Sequence, residues 1–169
     1  WLPDAYSESP SPISALMSGT FVNVAIIAIL RVFHIMDLAG LRSYAVVFMY
    51  CMGFLSLLIA AAYIIKTNNY KRMLAYSSIA QAGFMLLAIF ALNDTAKEGL
   101  ILYSAAYSLA TIGLFAILIK MDDYTIDGFN GLGKQQPVLA VTATVFLLSL
   151  TGIPLTAGFQ SKFFMLMAA

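Results

Sequence analysis

Lys162 is the side chain best able to do chemistry in this sequence. It follows Gly152-Ile153-Pro154 by eight residues and has only apolar residues after it, which places it within an apolar helix or at its edge. A lysine at bilayer depth costs about 2.5–3.5 kcal/mol on insertion scales and so defaults to a functional role. An amine that gains and loses a proton there is a usable relay. The alternative is an interfacial lysine whose head snorkels to the lipid headgroups. Gly152, Pro154 and Gly158 interrupt the apolar stretch just before it, and backbone freed at membrane depth is tolerated only inside protein or against a wet cavity. The pattern predicts a broken helix hinged at these three residues and followed by a buried lysine.

Two other apolar runs carry weaker candidates. Asn23 is the strongly polar mid-length residue of the first run, with Ser14, Ser18 and Thr20 a turn or two before it. Such a row hydrogen-bonds water or glues neighbouring helices together. Lys71-Arg72 opens the third run, and Tyr76, Ser77, Ser78 and Gln81 follow within three turns. Ser77 and Gln81 are four apart and share a helix face, so they can border a hydrated path leading inward from Lys71. The competing account makes Lys71 and Arg72 interfacial anchors and lets the hydroxyls bond their own helix. His34 at a run end reads as interfacial, and Asp122, Asp123 and Asp127 in a Gly-rich loop read as solvated acids. The sequence has no Gly-rich phosphate cradle, HExxH motif or nucleophile elbow, hence no soluble-type catalytic, cofactor or metal site. Cys51 is the sole cysteine, which excludes an intramolecular disulfide or an all-thiolate metal site and reads as a small core residue.

The elements that must position these residues follow from composition. Hydrophobic residues make up 62% of the 169, against about 45–50% in soluble domains, and only 9 basic and 8 acidic residues carry charge. A soluble domain needs more polar surface than this. A net charge of +1 without a Lys/Arg block also excludes a nucleic-acid partner. The charges leave five uncharged runs, between Glu8 and Arg31, Arg42 and Lys66, Arg72 and Asp94, Glu98 and Lys120, and Lys134 and Lys162. Each reaches the roughly 20 residues that cross a bilayer as a helix. The expected fold is therefore an all-α polytopic transmembrane bundle of about five spans, near 13–33, 43–65, 70–92, 97–119 and 137–169, the last broken at Gly152–Pro154. The opening WLPDAYSESPSP reads as an extended loop entering the first helix at about Pro12. A connection with Asp37, Gly40 and Arg42, a turn at Lys66-Thr67-Asn68-Asn69, and a stop at Asn93-Asp94-Thr95 separate the spans. The Lys/Arg bias of the loops places the N-terminal loop on the cytoplasmic side. The chain begins at Trp1 and stops within an apolar helix pattern at Ala168-Ala169, as an internal piece of a larger membrane protein would.

Three motifs carry a resemblance to a known family. WLPDAY with SPSPISALMSG at residues 1–19, YKRMLAYSSIAQAGF at 70–84 and GLGKQQPVLAVTATVFLLSLTGIPLTAGFQSKFF at 131–164 resemble the antiporter-like membrane subunits of respiratory complex I. Relatives of those subunits occur in membrane-bound hydrogenases and multi-subunit cation/proton antiporters. The last two motifs look most like the subunit N group of NADH-quinone oxidoreductase, in which a GIPxTAGF-type broken helix precedes a lysine, here Lys162. Residues 1 to about 79 also look like hydrogenase-4 component F, and the two likenesses meet in the shared LAYSSI segment, as a divergent natural subunit or a chimera would show.

The resemblance implies a fold and a mechanism. Such a subunit has about fourteen helices with two inverted repeats, each holding a broken helix, and this chain looks like helices eight to twelve. The family implies proton transfer along buried lysines, glutamates and water, driven by quinone reduction elsewhere. Lys162 would be the terminal carrier, with a hydrated path past Gln81, Ser77 and Asn23. Two departures stand out: Asn23 lies near a position that is usually lysine, and Gln81 stands where the family often has histidine. NAD, FMN, iron–sulfur clusters and quinone are expected in partner subunits and none in this chain. The expected surroundings are other membrane subunits, the lipid bilayer of a bacterial inner membrane, and protons, with sodium as the alternative ion. A Na⁺/H⁺ antiporter subunit, a hydrogenase subunit and a non-conducting scaffold are the rival readings.

Overall fold

The computed structural model describes residues 1–91, 94–121 and 123–168. Its first helix, α1 (Leu2–Glu8), corrects the expectation of an extended opening. Pro3 sits in its first turn, where the fixed φ suits a helix and the missing N–H is no loss. Pro10 caps the next helix, α2 (Ser11–Leu16), which runs through a π-helical turn (Met17–Phe21) into α3 (Val22–Leu38). These three form one stretch, Ser11–Leu38, of 28 residues. Asp37 therefore lies in a helix rather than in the connection. Gly40 at φ +73 ends α3, with Leu41 N–H donating to Met36 O and Gly40 N–H to Asp37 O. That is the paired bond of a Schellman stop, which needs a left-handed residue.

Helices α4 (Arg42–Ile64), α5 (Tyr70–Ala91) and α6 (Asp94–Leu118) follow. Leu92, the expected end of the third span, and Asn93 of the expected stop lie outside the described residues, as do Asp122 and Ala169. A 3-10 turn (Asp127–Phe129) and the short α7 (Leu132–Gln135) lead to α8 (Pro137–Thr151) and α9 (Ala157–Ala168). Three stretches, Ser11–Leu38, Arg42–Ile64 and Thr95–Leu118, are each long and apolar enough to cross a membrane. Helix α5 has 22 residues, and α8 with α9 covers the expected fifth span in two pieces.

Helix α6 forms the centre, packing on the α2 segment, α5, α8 and α9. Its Tyr103, Tyr107, Leu114, Phe115 and Leu118 are buried. Helix α4 packs chiefly on α5 and leaves Phe48, Phe54 and Leu58 exposed. Cys51 is exposed too, which corrects its assignment to the core. In a membrane protein an apolar run can face outward, because the surrounding medium is itself apolar.

One end of the bundle is tied together by its loops. Tyr70 N–H donates to Tyr124 O at 2.7 Å and Ile126 N–H to Asn68 O at 3.1 Å, around an isolated bridge between Asn69 and Thr125. Arg72 pairs with Asp4 of α1 at 2.7 Å. The N-terminal helix, the 66–69 turn and the 120–130 loop thus share one face, as alternating spans require.

Candidate functional site around the helix break

The break between α8 and α9 repeats the stop at Gly40, here between two packed helices. Gly152 adopts φ 85 and ψ 47; its N–H donates to Ser149 O and Leu148 O, and Ile153 N–H donates to Leu148 O. These bonds serve the carbonyls of Leu148 and Ser149. In a continuous helix the Leu150 carbonyl would accept from residue 154, which is proline and has no N–H. Two side chains supply the missing donors. Lys162 Nζ donates to Leu150 O at 2.6 Å, and Gln81 Nε2 donates to the same oxygen at 3.1 Å.

Each partner is held in turn. The Lys162 ammonium lies 4.8 Å from the Phe84 ring centroid and 5.7 Å from that of Tyr103, within cation–π range. Gln81 is 6% exposed, and the Tyr103 hydroxyl donates to its Oε1. A Cβ at Gly152 would stand 3.2 Å from Lys162 Cδ. Gly158 lies past the break, inside α9. Its N–H donates to Ser149 Oγ at 3.2 Å, and a Cβ there would run into the Ser149 carbonyl. Leu155, fully exposed within the break, has φ 77, a conformation that costs a non-glycine residue about 1–3 kcal/mol.

One turn away on both α5 and α6 lies a second polar cluster. Ser18 Oγ is 3.0 Å from Ser78 Oγ and 2.9 Å from Tyr107 Oη. Ser78 also donates to Leu74 O at 2.9 Å. The Tyr6 hydroxyl is buried within reach of Ser18 and Ser78 but makes no hydrogen bond. Sequence reasoning singled out Ser77 rather than Ser78. Ser77 is only half-buried and makes none of these bonds, because the buried face of α5 carries Lys71, Leu74, Ser78, Gln81 and Met85. Tyr103 and Tyr107, four apart on α6, were missed altogether; they stand among apolar residues that give no periodic signal.

Asn23 forms a third group. Its Nδ2 donates to Ser108 Oγ at 2.6 Å, Gly19 O at 3.0 Å and Ser104 O at 3.3 Å. Ser108 Oγ in turn donates to Gly19 O. This joins the π-helical turn to α6, the gluing role weighed for it. Ser14 and Ser18 are buried, whereas Thr20 and His34 are exposed. Lys71 is buried at the tied end, donating to Ser9 O at 3.1 Å with its Nζ 4.4 Å above the Tyr124 ring. Roughly ten residues of helix, about 15 Å, separate it from Gln81 on α5. The structure therefore joins Lys162 and Gln81 through the Leu150 carbonyl that both contact and leaves Asn23, Lys71 and Ser77 outside that group. Among the described residues no group of three or more His, Cys, Asp or Glu is placed to hold a metal.

These features define a polytopic helical membrane protein built around a discontinuous helix. The chain belongs to the family described as NADH:quinone oxidoreductase/Mrp antiporter, TM, which matches residues 1–169. A NADH-quinone oxidoreductase subunit N from Rhodococcus opacus (strain B4) is 36% identical over 174 residues, covering 100% of this chain and 32% of that protein. That likeness extends to both sides of the LAYSSI segment. Among solved structures, a chain of the membrane-bound sulfane sulfur reductase, an archaeal respiratory membrane complex, superposes with TM-score 0.90 at 28% identity, covering 100% of this chain and 36% of that one. A chain of respiratory complex I from Thermus thermophilus with bound aureothin gives TM-score 0.85 at 32% identity, covering 100% and 37%. The chain thus spans about a third of the length of the relatives it matches.

Proposed function

We propose that this chain is the part of an antiporter-like subunit in which Lys162 carries protons across the membrane. The subunit would act within a bacterial inner-membrane NADH-quinone oxidoreductase. The supporting observation is the contact of Lys162 Nζ with the Leu150 carbonyl, 2.6 Å apart, at a helix break. A charged amine inside a bundle needs such an acceptor, and a contact made by one terminal group is readily exchanged for water. The path runs inward from the face carrying the N-terminal helix, taken as cytoplasmic. It passes the hydroxyls of Tyr6, Ser18, Ser78 and Tyr107, then Tyr103 and Gln81, to Lys162. Hydroxyls suit the first part because each both donates and accepts. Ser78 replaces Ser77 in this path, Asn23 holds the first span against α6, and Lys71 fastens the entrance. Gly152 and Pro154 supply the break, and Gly158 lets α9 approach α8. Quinone reduction, with NAD, FMN and iron–sulfur clusters, belongs to partner subunits.

Redox-driven proton pumping by the intact complex in membrane vesicles tests this, comparing wild type with Lys162→Ala at matched assembly and with sodium varied. Pumping is expected to fall at least about tenfold, whatever the sodium concentration. Unchanged pumping would make the segment a scaffold, a role that the three bonds of Asn23 would also serve. A requirement for sodium would point to a Na⁺/H⁺ antiporter.

A further inference from the structure

We infer that Gln81, its amide fixed by Tyr103, is a stand-in cap that holds the Leu150 carbonyl while Lys162 leaves it. The inference rests on the proton-carrier reading of Lys162 and adds two positioning residues to it. The Leu150 carbonyl has no backbone donor, because Pro154 lacks an N–H and the Gly152 stop serves only Leu148 and Ser149. It receives both Lys162 Nζ and Gln81 Nε2. A backbone carbonyl cannot take the proton that Lys162 carries, so that proton goes to a water or hydroxyl, and Nζ gives up the Leu150 carbonyl whenever the lysine head swings toward that acceptor. The proton then moves from Nζ to the new acceptor, leaving a neutral amine that regains a proton from the supply side. Without a second donor, each departure would orphan a carbonyl inside the bundle, which lowers the population of the departed state by about tenfold or more.

Gln81 stays in place throughout. Its amide can point only one way, since Leu150 O accepts and must face Nε2, while Oε1 accepts a hydrogen bond from the Tyr103 hydroxyl. The backbone at the break is therefore held constant and only the lysine head moves.

The test uses Gln81→Met, Gln81→His, Tyr103→Phe and Lys162→Met in the intact complex, reading proton pumping per electron at matched assembly. Methionine matches glutamine in length with no donor and only a weak thioether acceptor, whereas neutral histidine supplies one donor and one acceptor. Gln81→Met is expected to lower pumping about tenfold, and Gln81→His to restore at least half of it. A purely space-filling role would not separate the two. Equal pumping by wild type and Gln81→Met, or by Gln81→Met and Gln81→His, overturns the inference. If Gln81→Met fails to assemble, Tyr103→Phe decides, because it deletes one oxygen and keeps the ring: a fall of about threefold supports the cap, and no change overturns it. Wild-type pumping by Lys162→Met would remove the underlying reading, whereas loss there with unaltered Gln81 variants would remove the cap alone.

Discussion

At the scale of single residues, hydroxyls one position apart on α5 have unequal weight. Ser78 bonds Ser18 and Leu74, whereas Ser77 does neither. Ser78→Ala should destabilise the detergent-solubilised subunit by about 1 kcal/mol, and Ser77→Ala by less than about 0.5 kcal/mol. Thermal unfolding of the two variants measures this, and equal losses would refute the placement. Lys162 was legible because charge is scarce and helix breakers sit beside it. Gln81 was legible because an amide is rare in an apolar run. The choice between Ser77 and Ser78 was not, since both lie within one turn of the same face and only the positions of α6 and the π-helical turn decide it. Tyr103 gave no warning, because tyrosine is common among lipid-facing residues as well as buried ones.

At the scale of elements, the break depends on Pro154 as much as on Gly152. Pro154→Ala would supply an N–H at the position that a continuous helix uses for Leu150 O. That donor competes with Lys162 and Gln81, so the variant should lower pumping while the complex still assembles; unchanged pumping would show that Gly152 alone maintains the break. Helix positions were largely readable from the spacing of charges, and α4 and α5 begin within a residue of expectation. The exceptions are instructive. Helix α3 continues past Arg31 to Leu38 because one arginine near a membrane edge does not end a helix. The opening segment is helical because a proline in the first turn begins a helix as readily as it interrupts one.

At the scale of the whole molecule, α1 seals one end of the bundle through two unlike contacts. Tyr6 is fully buried, packed edge-on against Phe115 at 5.9 Å, whereas the Arg72–Asp4 pair is largely exposed. Tyr6→Ala should destabilise by about 3–5 kcal/mol and expose the Ser9–Pro10 junction to protease. Asp4→Asn should change stability by less than about 1 kcal/mol. Similar effects from both would mean that α1 is held by charge. On the same face the Thr125 N–H, 2.8 Å from Asp123 Oδ1, holds that carboxyl below its ordinary value. The turn is thus intact at neutral pH and loosens only as pH falls through the lowered value.

The π-helical turn of the first span sets the phase of everything beyond it. Ser18 and Asn23, five apart, would point about 140° away from each other on a straight α-helix at 100° per residue. The wider turn brings both round to α6, Ser18 to Tyr107 and Asn23 to Ser108. The first span therefore carries one residue more than a regular helix of the same length could place. Deleting Thr20, an exposed residue with no side-chain bond to lose, would rewind this turn and rotate one half of the span away from its partners. The most dispensable side chain of that segment would thus be the least removable backbone position.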